Sequence, residues 1–185
     1  MSDKALSEIL KTSDRIFILR YVAVNSSFTA TDVVNATGKS KGLVSRYLHL
    51  LLELNYILAD GRKYFWIENA ETKALKRLLN IRFLSSIIFL PDWAGGIGIY
   101  GSFADGTNSA KSDLDVWVYV DSYSSDLELK SARLEKSLGK ETGVETNILI
   151  LTSEKLSRLK EDDNPFYFSL MKSTITLEGV SIERH

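Results

Sequence analysis

The apolar positions change period along the chain, and each change marks an element. Between Ser13 and Val24, Ile16, Phe17, Leu19 and Val22 recur at helical spacing, with Ser13-Asp14 as a start signal and Asn25-Ser26-Ser27 as a stop. Phe28-Thr29 reads as a short extended bridge. A brief helix carrying Val33 and Val34 starts at Thr29 or Thr31 and stops at Thr37-Gly38. The next starts at Ser40 and turns Leu43, Val44, Tyr47, Leu48, Leu51, Leu52 and Leu54 inward. Tyr56-Ile57-Leu58 and Tyr64-Phe65-Trp66-Ile67 then read as strands joined through Asp60-Gly61, a hairpin signal. Alternation along Tyr64-Phe65-Trp66 hides at least one ring, so this run reads as hairpin core. From Asn69 to about Phe89, Ala74, Leu75, Leu78, Leu79, Phe83 and Leu84 form a helical stripe, with Lys73, Lys76, Arg77 and Arg82 on the polar side.

Beyond Pro91 and Gly95-Gly96 the pattern becomes one of apolar strands between helices. Ile97 to Tyr100 and Leu114 to Val118 read as strands, Asp126 to Leu138 as a helix, and Ile148 to Leu151 as a further strand. A helix capped by Thr152 or Ser153 runs through Leu159. Asn164-Pro165-Phe166-Tyr167 then leads into another short helix, followed by Thr174 to Gly179. The pattern is α+β, with one region over residues 1–68, a connecting helix over 69–92 and a second region over 93–185. The connecting helix fits intrachain packing and pairing with a second subunit as a homodimer equally well.

Composition narrows the function classes. At 44% hydrophobic and 25% charged residues the chain is globular rather than disordered. The absence of cysteine excludes a disulfide scaffold, a thiolate zinc site and thiol catalysis. Histidine occurs only at His49 and His185, which disfavours a His-rich metal site. No apolar run reaches membrane length, and Met1-Ser2-Asp3-Lys4 does not read as a signal peptide, so a cytoplasmic protein with no membrane partner is expected. Charge is uneven: residues 1–90 hold 13 Lys/Arg against 8 Asp/Glu, and the remainder holds 10 against 16. The basic half suits a nucleic acid and the acidic half suits metal ions.

The candidate chemistry lies in the acidic half. Asp113 and Asp115 stand two apart on an apolar strand and so share a face, while Leu114, Val116 and Val118 point to the other. Two hard oxygen ligands on one rigid strand can hold Mg²⁺, which favours carboxylates together with substrate phosphates. The earlier strand ends in Gly101-Ser102, where glycine permits close backbone approach to a phosphate and serine offers a hydroxyl. Together they describe a metal–nucleotide site.

Gly101-Ser102, the loop from Phe103 to Ser112 and Asp113-Leu114-Asp115-Val116 resemble the motif of the DNA polymerase β-like nucleotidyltransferases, in particular their small, minimal members. The resemblance implies a mixed sheet with flanking helices and transfer of NMP from an NTP. It implies Asp113 and Asp115 as metal ligands for Mg²⁺ or Mn²⁺, and Gly101 and Ser102 on the triphosphate. Where the family carries a third carboxylate, this sequence has Asn147; Glu145, two residues earlier on the same face, is a further candidate ligand. Asp105 stands in a turn that is often basic in relatives. The acceptor implied is a hydroxyl on a protein, an RNA or a small molecule.

Residues Thr29 to Leu54 with the following hairpin resemble a winged helix-turn-helix. That resemblance implies double-stranded DNA as partner, with Lys39, Ser40, Lys41, Ser45 and Arg46 at the major groove, His49 as an outlying candidate, and Arg62 and Lys63 at the hairpin tip. A winged helix used for dimerisation or docking accounts for the same residues as a solvated face, and His49 also reads as a helix-surface residue. Two functions stand side by side: a DNA-coupled nucleotidyltransferase, and a transcriptional regulator whose nucleotidyltransferase-like domain is catalytically degenerate and serves sensing or assembly.

Overall fold

In the computed structural model, which describes residues 3–162 and 165–184, the chain divides into two units, residues 1–76 and 77–185. The readings at Met1-Ser2, Asn164 and His185 lie outside the described residues.

The first unit comprises α1 (Asp3–Ile9), α2 (Ser13–Val24), β1 (Ser27–Thr29), α3 (Ala30–Thr37), α4 (Lys41–Glu53), β2 (Ile57–Asp60) and β3 (Lys63–Trp66). Its strands form an antiparallel sheet in the order β1-β3-β2. The helices start where polar side chains cap free backbone donors: Thr12, Thr29 and Ser40 each accept an N–H from the first turn of α2, α3 and α4. Gly38 ends α3 and Asn55 follows α4, both at positive φ (65° and 59°), the left-handed stop that glycine and asparagine tolerate. Ile18, Leu19, Val22, Val33, Val44, Tyr47, Leu48, Leu51 and Ile57 are buried, and Trp66 is the buried ring of the hairpin. Leu43, Leu52 and Leu54, expected inside, are only half-buried. Helix α1 has no counterpart in the periodicity because seven residues are too few to establish a stripe; it is tied down by the Tyr47 hydroxyl donating to the Ile9 carbonyl at 3.0 Å.

Helix α5 (Ala70–Leu84) crosses the boundary between the units. It stops short of the expected end near Phe89. Ser86 N–H bonds to Phe83 O and Ile87 N–H to Leu84 O, so the last turn tightens to i→i+3 spacing, while the β-branched Ile87 and Ile88 and the approaching Pro91 favour extended backbone. Two stripe positions also differ from expectation. Leu78 is exposed, whereas Lys76, expected on the polar side, is 2% exposed and pairs with Glu68 at 2.8 Å. A lysine can lie on apolar surface in this way while its ammonium reaches a carboxylate at the rim.

The second unit is built on β4 (Gly96–Tyr100), β5 (Leu114–Tyr119), β6 (Thr146–Leu151) and β7 (Ile175–Gly179), in the order β6-β5-β4-β7. β5 and β6 are parallel; β4 runs antiparallel to both β5 and β7. The helices are α6 (Gly101–Asp105), α7 (Asp126–Thr142), α8 (Ser153–Glu161) and α9 (Pro165–Ser173), and a 3-10 turn spans Ile182–Arg184. On one face of the sheet Ile97, Ile99, Leu114, Val116 and Val118 pack with Leu84, Ile88, Leu127 and Leu138. On the other, Trp117, Tyr119 and Leu151 pack with Leu156, Leu170 and Ile182. Gly98 makes room for this second layer: a Cβ there would sit 2.4 Å from the Trp117 ring. Among the described residues no helix is long and apolar enough to cross a membrane.

Candidate functional site

Leu114, Val116 and Val118 are fully buried in the first layer, and that fixes the face on which Asp115 emerges. Asp115 is half-buried and pairs in register with Tyr100 on β4 and Asn147 on β6, while Asp113 lies exposed just before β5. The Asn147 amide donates to Asp115 Oδ1 at a long 3.4 Å. Burial raises the Asp115 pKa above its ordinary value; the amide works against this, and the neighbouring Asp113 charge adds to it. The carboxylate therefore stands half-buried near a second carboxylate.

The turn after β4 meets this carboxylate directly. Gly101 has φ +66°, and a Cβ placed on it would lie 2.6 Å from Asp115 Oδ2, so only glycine lets the chain pass. Its N–H donates to Ser173 Oγ at 3.2 Å, and that hydroxyl donates to the Ser169 carbonyl at 2.9 Å. Ser102, second in α6, is half-buried; its carbonyl accepts N–H groups from Thr107 at 2.9 Å and Asn108 at 3.2 Å. Buried Asn108 and the Phe103 carbonyl both take the Asn80 amide, at 2.8 and 2.9 Å, which pins the loop leading to Asp113. Asp105 is exposed. Tyr100 is raised to about 12, chiefly by burial and then by the Asp115 charge.

The family model of the nucleotidyltransferase domain matches residues 81–176. The chain belongs to the nucleotidyltransferase domain family. No curated protein matches it. Among solved structures, one described as a crystal structure of the toxin-antitoxin with AMP-PNP matches at 18% identity, over 62% of this chain and 77% of that chain, with a TM-score of 0.37.

Nucleotidyltransferase domains use an NTP and a divalent metal, and the donors of this one fit such an ion. Asp113 and Asp115 offer hard oxygens, and Asp115 is partly desolvated. One or two carboxylates with substrate phosphates suffice for Mg²⁺. Among the described residues no set of three His, Cys, Asp or Glu side chains converges on a metal position, so Glu145, exposed ahead of β6, joins no such set.

Of the residues read as facing DNA, Lys41, Ser45 and Arg46 are exposed on α4, and Arg62 and Lys63 are exposed at the β2–β3 turn. Two have other engagements. Lys39 pairs with Asp14 at 2.6 Å and lies over the Phe17 ring, and the Ser40 hydroxyl is the cap of α4. His49 is exposed and lies 3.2 Å from Glu53, one turn on. The pattern gave no sign of Ser173. Ser173 reaches Gly101 from 72 positions away, which no local spacing reveals, whereas Tyr100 was legible as the residue just before the glycine.

Proposed function

We propose that this protein is a metal-dependent nucleotidyltransferase that moves NMP from an NTP to a hydroxyl acceptor on a protein, an RNA or a small molecule. We infer further that its first unit is a winged helix-turn-helix that binds double-stranded DNA. The observation that supports the first reading is the close approach of Asp115 to the Gly101 corner, where a Cβ on Gly101 would lie 2.6 Å from Asp115 Oδ2. In the reaction the acceptor hydroxyl gives its proton to solvent as its oxygen bonds to the α-phosphorus, the bond from that phosphorus to the bridging oxygen breaks, and pyrophosphate leaves. A bound divalent cation, Mg²⁺ or Mn²⁺, would neutralise phosphate charge and favour the ionised acceptor. Asp113 and Asp115 would hold it. The chain's own contribution is mainly placement, as phosphoryl transfer demands. Gly101 admits the triphosphate close to the backbone, Ser102 offers its hydroxyl, and Asn147 orients Asp115 without accepting a proton.

The DNA reading is supported by the exposed Lys41 and Arg46 of α4 and by Arg62 and Lys63 at the turn. The same features support a second reading, a transcriptional regulator with a degenerate second unit, favoured by the neutral amide of Asn147 beside Asp115. Incubation with α-labelled NTPs, Mg²⁺ or Mn²⁺ and cell extract separates the two. Metal-dependent labelling of an acceptor that Asp113→Asn abolishes is expected. Salt-sensitive duplex binding with no labelling under any metal would favour the regulator.

A further inference from the structure

Helix α6 ends at Gly106, whose φ of 72° takes the chain into the left-handed region, and past that stop the Ser102 carbonyl collects the N–H groups of Gly106, Thr107 and Asn108. In a continued helix the Thr107 N–H would bond to the Phe103 carbonyl, so that carbonyl is left over at the helix end. Asn80 of α5 takes it. Its amide donates to Phe103 O at 2.9 Å and also to Asn108 Oδ1 at 2.8 Å, two donors for two acceptors. Asparagine is a poor residue inside a helix because its side chain competes for nearby backbone groups; here the amide is spent on the loop instead. Phe103 directly follows Ser102, and Asn108, 2% exposed, stands midway between Ser102 and Asp113. Farther on, Ser112 N–H bonds to Ser109 O at 3.1 Å and Ser109 N–H to Ser112 Oγ at 2.9 Å, a closed turn that carries the fixed position of Asn108 on to Asp113. The Asp113 side chain makes no hydrogen bond or ion pair with the described residues, so the course of this backbone sets where its carboxylate stands.

We propose that Asn80 is a positioning residue of the metal–nucleotide site, fixing Asp113 relative to Asp115. The inference rests on the reading of Asp113 and Asp115 as ligands of a divalent cation. Asp115 is set by its place in β5 and by the Gly101 corner, whereas Asp113 lies exposed just before the strand and depends on the loop. Asn80 acts through that loop and not by contact with the ligand. Its effect depends on the cation: Mg²⁺ demands near-octahedral geometry, while Ca²⁺ accepts a wider range of ligand numbers and distances. A loop released from Asn80 therefore harms Mg²⁺ binding more than Ca²⁺ binding.

The test titrates the full chain with ATP in saturating Mg²⁺ and separately in saturating Ca²⁺, on wild type, Asn80→Ala and Thr152→Ala. Thr152 caps α8, past the other end of β6 from Asn147, and controls for lost stability alone. Asn80→Ala is expected to weaken ATP binding in Mg²⁺ by about 10- to 100-fold, the usual effect of removing a group that orients a metal ligand, and in Ca²⁺ by a smaller factor. Thr152→Ala should bind as wild type does in both cations, although urea denaturation shows its lost cap. Should Asn80→Ala not fold, Asn80→Asp keeps the side-chain volume without the two donors and is expected to show the same unequal loss. Unchanged binding in Asn80→Ala, an equal loss in both cations, or the same loss in Thr152→Ala overturns the positioning role and leaves the metal–nucleotide site standing. Binding of ATP by wild type in neither cation overturns both.

Discussion

Gly101 joins two demands that only glycine meets together, a left-handed backbone and the absence of a Cβ where Asp115 Oδ2 lies 2.6 Å away. Gly101→Ala would have to hold an L-residue at positive φ, costing about 1–2 kcal/mol, and would also push the carboxylate aside. Urea denaturation should show that loss, and Mg²⁺-dependent NTP binding should disappear with it. A variant as stable as wild type with unchanged binding would place the carboxylate's role elsewhere. Burial raises the Asp115 pKa, and the Asn147 amide that opposes this sits at the long end of hydrogen-bond range. Under the proposed function, a cation bound there would offset the cost of keeping this half-buried carboxylate ionised.

Helix α3 rests on a reciprocal cap: Asp32 N–H donates to the Thr29 hydroxyl at 3.2 Å, while the Thr29 N–H donates to Asp32 Oδ2 at 2.8 Å. Thr29→Ala should cost about 1 kcal/mol of unfolding free energy, measured by chemical denaturation. The Asp32 carboxylate accepts from the Thr29 backbone and then its hydroxyl, which holds its pKa below the ordinary 3.8. A depressed carboxylate contributes stability above its unfolded pKa and loses it as pH falls through the folded one. The melting-temperature gap between wild type and Asp32→Asn should therefore be widest at neutral pH and close in acid, below the ordinary carboxylate value. A gap that widens in acid would refute the cap. Elements such as this one were legible because their start and stop signals are local: Thr29 and Gly38 for α3, Ser40 for α4, Thr152 for α8. The end of α5 was not, because the apolar run continues through Ile87 and Ile88 after the backbone has left the helix; there the backbone hydrogen bonds, rather than hydrophobic period, decide. Nor could periodicity foresee that Lys76 would be buried against Glu68, since a lysine's long stem lets it belong to either face.

At the scale of the molecule, the uneven charge of the sequence matches the division of labour proposed for its two units. If Arg46 and Arg62 contact phosphates, replacing either by alanine should weaken duplex binding at every sequence alike and lower the slope of log K against log salt by about 1. Fluorescence anisotropy across a salt series measures this; a slope unchanged in both variants would remove DNA from the account. The candidate site was half legible. Gly101-Ser102 and Asp113-x-Asp115 announced themselves because their chemistry is carried by short runs on adjacent strands. Ser173 and Asn80 could not, since they reach the site through tertiary packing from distant helices. The central claim is that the two aspartates make a working metal–nucleotide site, and calorimetric titration of NTP with and without Mg²⁺ tests it most directly, on wild type and on the Asp113→Asn/Asp115→Asn double variant. Binding that requires Mg²⁺ and vanishes in the double variant is the predicted result. Absence of binding by wild type at millimolar nucleotide, or binding that survives loss of both carboxylates, would contradict it.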